Sequence, residues 1–191
     1  MSIAEQAALT LDEFLEMPET KPASEFWNGE VRIKPMPMTK HSVIQGEMTE
    51  RLNVAAKAKP PRHGRALPEL RCTFAGRSIV PDIAYVKRER LALDADGRLA
   101  DRFLAAPDQM IEIVSPEQSH FELVEKVAWA MKNGALLGWL IDPDGEEIMV
   151  FTPHDIPRVI PRDGALDGGD VLPGFRCPVS DVFSWLREQV V

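Results

Sequence analysis

The chain has 191 residues, 45% of them hydrophobic and 27% charged, enough to bury one substantial core and too few for two ordinary domains. Lys and Arg number 22 against 30 Asp and Glu, a formal net charge of −8, which argues against a protein that coats nucleic acid nonspecifically or binds lipid through a polybasic tract. Sixteen prolines exceed the usual frequency of about 5% and point to strand ends and stiff loops rather than a helical bundle.

In chain order, Thr10-Leu11-Asp12-Glu13 reads as a capping box opening a short helix that ends before Pro18. Asn28-Gly29 between Glu25-Phe26-Trp27 and Glu30-Val31-Arg32-Ile33 predicts a hairpin, because a type I′ turn needs positive φ at two successive residues. His41, Ile44, Gln45, Met48 and Leu52 fall at spacings of three and four, predicting one helical face between Thr39 and Ala58, which Lys59-Pro60-Pro61 stops. Leu70, Cys72 and Phe74 alternate as a strand. Ile79–Val86 reads as a second strand, apolar except for Asp82, and residues 88–106 as an irregular excursion with a short helical turn. Met110–Val114 is a third strand with Glu112 in its middle. A helix follows over Phe121–Asn133, with Phe121, Val124, Ala128 and Met131 as its apolar stripe and Gly134 past its end. Leu137–Ile141 and Glu147–Phe151 are strands joined through Asp142-Pro143-Asp144-Gly145. Short strands and a helix over Asp181–Arg187, capped by Ser180, complete an α/β or α+β domain on a mixed sheet.

Two residues break the local rules. Asp82, after Pro81, and Glu112 both place a carboxylate in an apolar strand, where an unpartnered ionised group costs several kcal/mol. Two carboxylates converging on one spot repel unless a cation sits between them, and Mg²⁺ takes hard oxygen ligands of this kind. A metal so held acidifies water and polarises a phosphoryl oxygen. Lys126, on the helix after Glu112, is suited to orient an attacking water and offset charge on phosphorus. The structural alternative pairs these carboxylates with Arg71 or Lys126 and leaves Lys126 in an i,i+4 pair with Glu122.

Pro81-Asp82, Glu112-Ile113-Val114-Ser115-Pro116, Glu122-Leu123-Val124-Glu125-Lys126 and Gly134 with Trp139-Leu140-Ile141-Asp142-Pro143 stand in the order of the PD-(D/E)xK nuclease superfamily. More narrowly, the chain resembles the Uma-type restriction endonuclease family. Trp27-Asn28-Gly29-Glu30 and Pro37 followed by His41 also match its pattern, over about Leu11 to Phe183. The resemblance implies a single restriction-endonuclease-like domain over residues 1–191: a central mixed sheet flanked by helices, with an N-terminal helix and hairpin. It implies Asp82, Glu112 and the Ile113 carbonyl as ligands of Mg²⁺ or Mn²⁺, with Lys126 positioning the water. It further implies DNA as substrate and a homodimer. Two departures stand out: Glu122, where the family more often has Asp, and Leu137-Gly138, where it usually shows Glu-Tyr before the Trp. The second bears on substrate contacts or dimer packing.

His41, Gln45 and Glu122 are candidate accessory residues. Lys57, Lys59, Arg62, Arg65 and Arg71, with Glu69 as their lone acid, form a basic segment suited to a phosphate backbone, with weak and salt-dependent binding expected. A solvated loop is the alternative for this segment. Ser115 and His120 lack the Gly-x-Ser-x-Gly elbow of a serine hydrolase. A catalytically silent nuclease-fold module and a carboxylate-pair glycoside hydrolase, which needs no metal, remain rival readings. Cys72 and Cys177 lack the paired spacing of a zinc site. No stretch reaches the roughly 18 apolar residues of a membrane span, and the N-terminus lacks the basic start of a signal peptide. A cytoplasmic location is therefore expected.

Overall fold

The computed structural model describes residues 9–58, 60–116 and 118–187; Lys59 lies outside them. The capping box is formed as expected: Thr10 Oγ1 accepts from the Glu13 N–H, and the Glu13 carboxylate accepts from the Thr10 N–H, opening helix α1 (Leu11–Leu15). Asn28 and Gly29 have φ of 54° and 87°, as the primed turn demands. They join β1 (Ser24–Trp27) to β2 (Glu30–Ile33), with Trp27 opposite Glu30. Helix α2 (Thr39–Lys57) buries His41, Ile44, Met48, Leu52 and Ala56 along one face.

Beyond α2 come β3 (Gly64–Pro68), β4 (Cys72–Phe74), β5 (Arg77–Ile79), β6 (Ile83–Lys87) and β7 (Gln109–Ile113). Helix α3 (His120–Lys132) crosses from β7 to β8 (Leu137–Asp142), a parallel pair; β9 (Glu147–Phe151) and β10 (Arg158–Ile160) then meander outward. The main sheet runs β10-β9-β8-β7-β6-β3, and a smaller sheet runs β2-β1-β5-β4. The chain finishes with β11 (Ala165–Asp167), β12 (Arg176–Pro178) and α4 (Val179–Ser184).

The main sheet is covered on both faces. On one, Ile44, Met48 and Leu52 of α2 join Ile83, Ile111, Trp139 and Val182. On the other, Leu123, Val127 and Ala130 of α3 join Met110, Leu140 and Phe151, with Trp27 and Ile79 of the smaller sheet. Among the described residues, no helix is long and apolar enough to cross a membrane.

Four expectations are corrected. Ile79–Val86 is not one strand: β5 and β6 belong to different sheets, and Val80-Pro81-Asp82 is the break between them. Proline has no N–H to give a ladder, and the Val80 N–H goes instead to the Glu25 carboxylate at 2.6 Å. Residues 64–68 form an edge strand rather than a loop, held by five paired positions on β6. Phe121 is 88% exposed, and the buried face of α3 carries Leu123, Lys126, Val127, Ala130 and Met131; a neutralised lysine, not the phenylalanine, turns inward. The last helix starts at Val179 after Pro178, with no side-chain cap from Ser180.

Leu137 and Gly138 pair with Gln109 and Met110, at the end of the sheet remote from Glu112, and both are buried. A Cβ at Gly138 would stand 2.5 Å from Val127 Cγ1 and 3.2 Å from Phe151 Cβ, so this departure from the family pattern is a matter of close helix-to-sheet packing. Gly138→Ala is expected to destabilise the protein by about 1–3 kcal/mol through overpacking, read as a lower midpoint in urea unfolding at unchanged slope.

Candidate active site

The break at Val80-Pro81-Asp82 and the end of β7 meet at one end of the central strands of the main sheet. Ile83 faces Ile111 in antiparallel register, so one further step brings Asp82 beside Glu112. Both carboxylates are buried, at 2% and 1% exposure. Asp82 Oδ2 accepts the Ile113 N–H at 2.7 Å and lies 3.1 Å from His41 Nε2. Its Oδ1 is 2.6 Å from Lys34 Nζ. Gln45 Nε2 donates to the Asp82 backbone carbonyl at 2.8 Å, so α2 contributes two residues that hold this one aspartate. Arg71, the alternative partner from sequence, turns away to Glu19, the Ser24 carbonyl and Ser78.

Lys126 comes from the buried face of α3. Its Nζ lies 2.7 Å from Glu112 Oε1 and 2.6 Å from Glu25 Oε1. An ammonium has three donors, so one remains directed at neither carboxylate. Glu112 Oε2 is buried without a hydrogen-bond partner.

The electrostatics divide the two acids. Burial pushes the Glu112 carboxyl up to about 7, opposed by Lys126 and aided by the Asp82 charge. Asp82 is also deeply buried, but Lys34 and His41 outweigh that penalty and hold it below the usual carboxylate range. Burial would lower Lys126, yet Glu112 and Glu25 outweigh it and raise it above an ordinary lysine. Cys72 is pushed up to about 12 by burial and is an inert core thiol rather than a nucleophile.

Glu25 and Lys34 were missed in the sequence. A signal existed for Glu25: the two-residue period of a strand places it on the same face as Trp27, which is 3% exposed. Lys34, just past β2, carried no such signal. Glu122 is exposed at the mouth of a cavity of about 270 Å³ lined also by Lys126, Glu25, Lys34, Arg32 and Gln118. A larger groove of about 490 Å³, lined by Met131, Leu136 and Pro153, lies elsewhere, and its charged members Lys132 and Asp155 are exposed. His120 contacts Asp142 at 3.1 Å.

Among the described residues, the basic segment does not gather beside these acids. Gly64 pairs with Lys87, at the end of β6 about 13 Å from Ile83 at strand rise. Arg62 is bound to Asn53 and the Gly64 carbonyl. Lys57 is exposed and Arg65 half-buried.

Among the described residues, no three His, Cys, Asp or Glu side chains come together as a ready-made metal cage. The donor set instead offers two carboxylates beside backbone, which suits Mg²⁺, a cation that keeps several of its waters. Charge points the same way. Asp82, Glu112 and Glu25 face Lys34 and Lys126, with His41 beside Asp82. The Oε2 atom of Glu112 is left free to take a hard cation.

A mixed sheet between helices, with buried acids and a lysine at the end of its central strands, defines a restriction-endonuclease-like fold. The chain belongs to the Uma2 family, described as putative restriction endonuclease, which matches residues 11–180. It is similar to a crystal structure of a putative nuclease belonging to DUF820 from Anabaena variabilis ATCC 29413. The two share 41% sequence identity and a TM-score of 0.90, over 94% of this chain and 99% of that one. No curated protein matches the chain significantly.

Proposed function

We propose that the protein is a divalent-metal-dependent endonuclease hydrolysing DNA phosphodiester bonds. The observation that carries this reading is the buried acid pair at the end of the central strands, one acid held by backbone and the other ion-paired to Lys126 with an oxygen left over, in a chain of a nuclease-like family. Asp82, Glu112 and the Ile113 carbonyl would hold Mg²⁺ or Mn²⁺, which when bound supplies polarisation of the phosphate and acidified water. Lys126, fixed between Glu25 and Glu112, orients the attacking water with its remaining donor and offsets charge developing on phosphorus. His41 and Gln45 position Asp82 from α2, and Glu122 stands at the cavity mouth as an accessory group. Arg32 at the same mouth, with Lys57 and Arg65 further along the sheet, offers positive charge to a phosphate backbone. Lys59 belongs to the same proposal, while Arg62 and Arg71 serve it only by releasing internal partners. Cleavage of both strands calls for a homodimer. Two buried free cysteines, Cys72 and Cys177, support a reducing, cytoplasmic setting.

A second reading, a module that binds without turnover, is favoured by the engagement of both Asp82 oxygens with Lys34, His41 and the Ile113 N–H. Incubation with supercoiled plasmid separates the two. The nuclease reading expects nicked and linear product with Mg²⁺ or Mn²⁺, none in EDTA, and steep loss of binding between low and moderate salt. Metal-independent conversion, or none with either ion, removes it.

A further inference from the structure

The strand ladder of the hairpin continues one residue past β2, where the Lys34 N–H donates to the Ala23 carbonyl at 2.9 Å. This anchors a lysine whose side chain is 9% exposed, with Nζ 2.7 Å from the Val80 carbonyl and 2.6 Å from Asp82 Oδ1. A carboxylate oxygen has about two lone-pair sites. Oδ2 of Asp82 already meets the Ile113 N–H and His41, so Oδ1 is the atom with capacity for a metal, and Lys34 sits on it. Lys126 is placed differently, with its ion pairs to Glu112 and Glu25.

We infer that Lys34 is a built-in counter-cation of the candidate metal site, which a divalent ion must displace from Asp82 Oδ1 and which thereby sets the affinity of the site. The inference rests on the metal-dependent reading above. Two buried acids side by side repel, and a tethered ammonium 2.6 Å from Oδ1 balances the charge of Asp82 and holds it in place until a stronger cation arrives. Its release is local. Nζ keeps the Val80 carbonyl as a partner, and Lys34 already lines the cavity wall, so the displaced ammonium stays beside the site.

The test is calorimetric titration with Mn²⁺ alone, without DNA, on wild type, Lys34→Met, Lys34→Arg and Arg32→Met, each also carrying Glu112→Gln as a control for the site. A charged hydrogen bond that no longer competes is expected to tighten Glu112-dependent binding about tenfold or more in Lys34→Met. Lys34→Arg keeps the competing charge and stays near wild type. Arg32→Met removes a charge from the same cavity without touching Asp82, and is expected to change affinity by less than about threefold. Thermal melts supply a second signature: Lys34→Met melts below wild type in EDTA and regains the difference in Mn²⁺, which loss of a merely structural lysine does not produce. If Lys34→Met is recovered only with Mn²⁺ present, Lys34→Gln, which keeps a donor for Val80, carries the same comparison. Glu112-dependent binding that is equal or weaker in the neutral variants, or equally tightened by Arg32→Met, overturns the role of Lys34 and leaves the metal reading standing. Absence of Glu112-dependent binding in every variant overturns both.

Discussion

Glu112→Gln is expected to reduce metal-dependent DNA cleavage on the order of 10³-fold while leaving the fold intact. The substitution keeps the shape of a side chain that is 1% exposed and removes the charge on which a cation depends. Lewis-acid stabilisation is worth several kcal/mol, and each 1.4 kcal/mol is about a factor of ten in rate. Stability should move the other way. The Glu112 carboxyl is pushed up to about 7 from an ordinary value of 4.5, so between those limits the folded protein binds more protons than the unfolded chain. Stability therefore falls as pH rises through that window. Without metal, the melting temperature of wild type is expected to decline from about pH 5 to pH 8 more steeply than that of Glu112→Gln, which has no such proton to lose. Asp82 has the opposite sign: held low, it contributes stability above its ordinary pKa that is lost only in acid. Plasmid cleavage and melts across pH check both halves. Retained cleavage sinks the assignment of Glu112, and parallel pH curves sink the electrostatic argument.

What could be read from the sequence was local. The Thr10–Glu13 box, the Asn28-Gly29 turn and the face His41, Ile44, Met48, Leu52 each depend on residues within one turn or one helix. Asp82 and Glu112 were visible because a charge in an apolar strand is an anomaly that needs no tertiary information. The errors come where neighbours decide. Gly64, Ala66 and Pro68 are weak strand formers, and β3 exists because β6 pairs with it. Phe121 fits the apolar count of α3, but that face yields to the one on which Lys126 is neutralised by two acids from other elements. Glu25 and Lys34 enter through the docking of a hairpin whose strand period marks only the Glu25 face as buried. Their partners lie dozens of residues away, beyond the reach of periodicity. The family resemblance supplied the fold and the acid–lysine order, whereas the second lysine and third carboxylate emerged from the geometry.

That third carboxylate makes Lys126 a shared partner whose loss strands two acids. Its ammonium is the common partner of Glu25, which also fixes the Val80 N–H, and of Glu112. Lys126→Met would leave two buried carboxylates facing one another without a cation. Breaking a buried pair by removing one partner costs about 3–5 kcal/mol, and at about 2–4 °C per kcal/mol for a chain of this size the melting temperature is expected to fall by about 10 °C in EDTA. Cleavage is lost as well, which alone would not separate catalysis from collapse. The separation comes from adding Glu25→Gln. With one acid neutralised and the other free to take a proton, much of the stability should return, while cleavage stays absent because no ammonium remains to hold the water. A Lys126→Met protein as stable as wild type in EDTA would mean that the charge balance around the lysine is wrongly drawn. Recovery of cleavage along with stability in the double variant would mean that Lys126 supports the fold and takes no part in the chemistry.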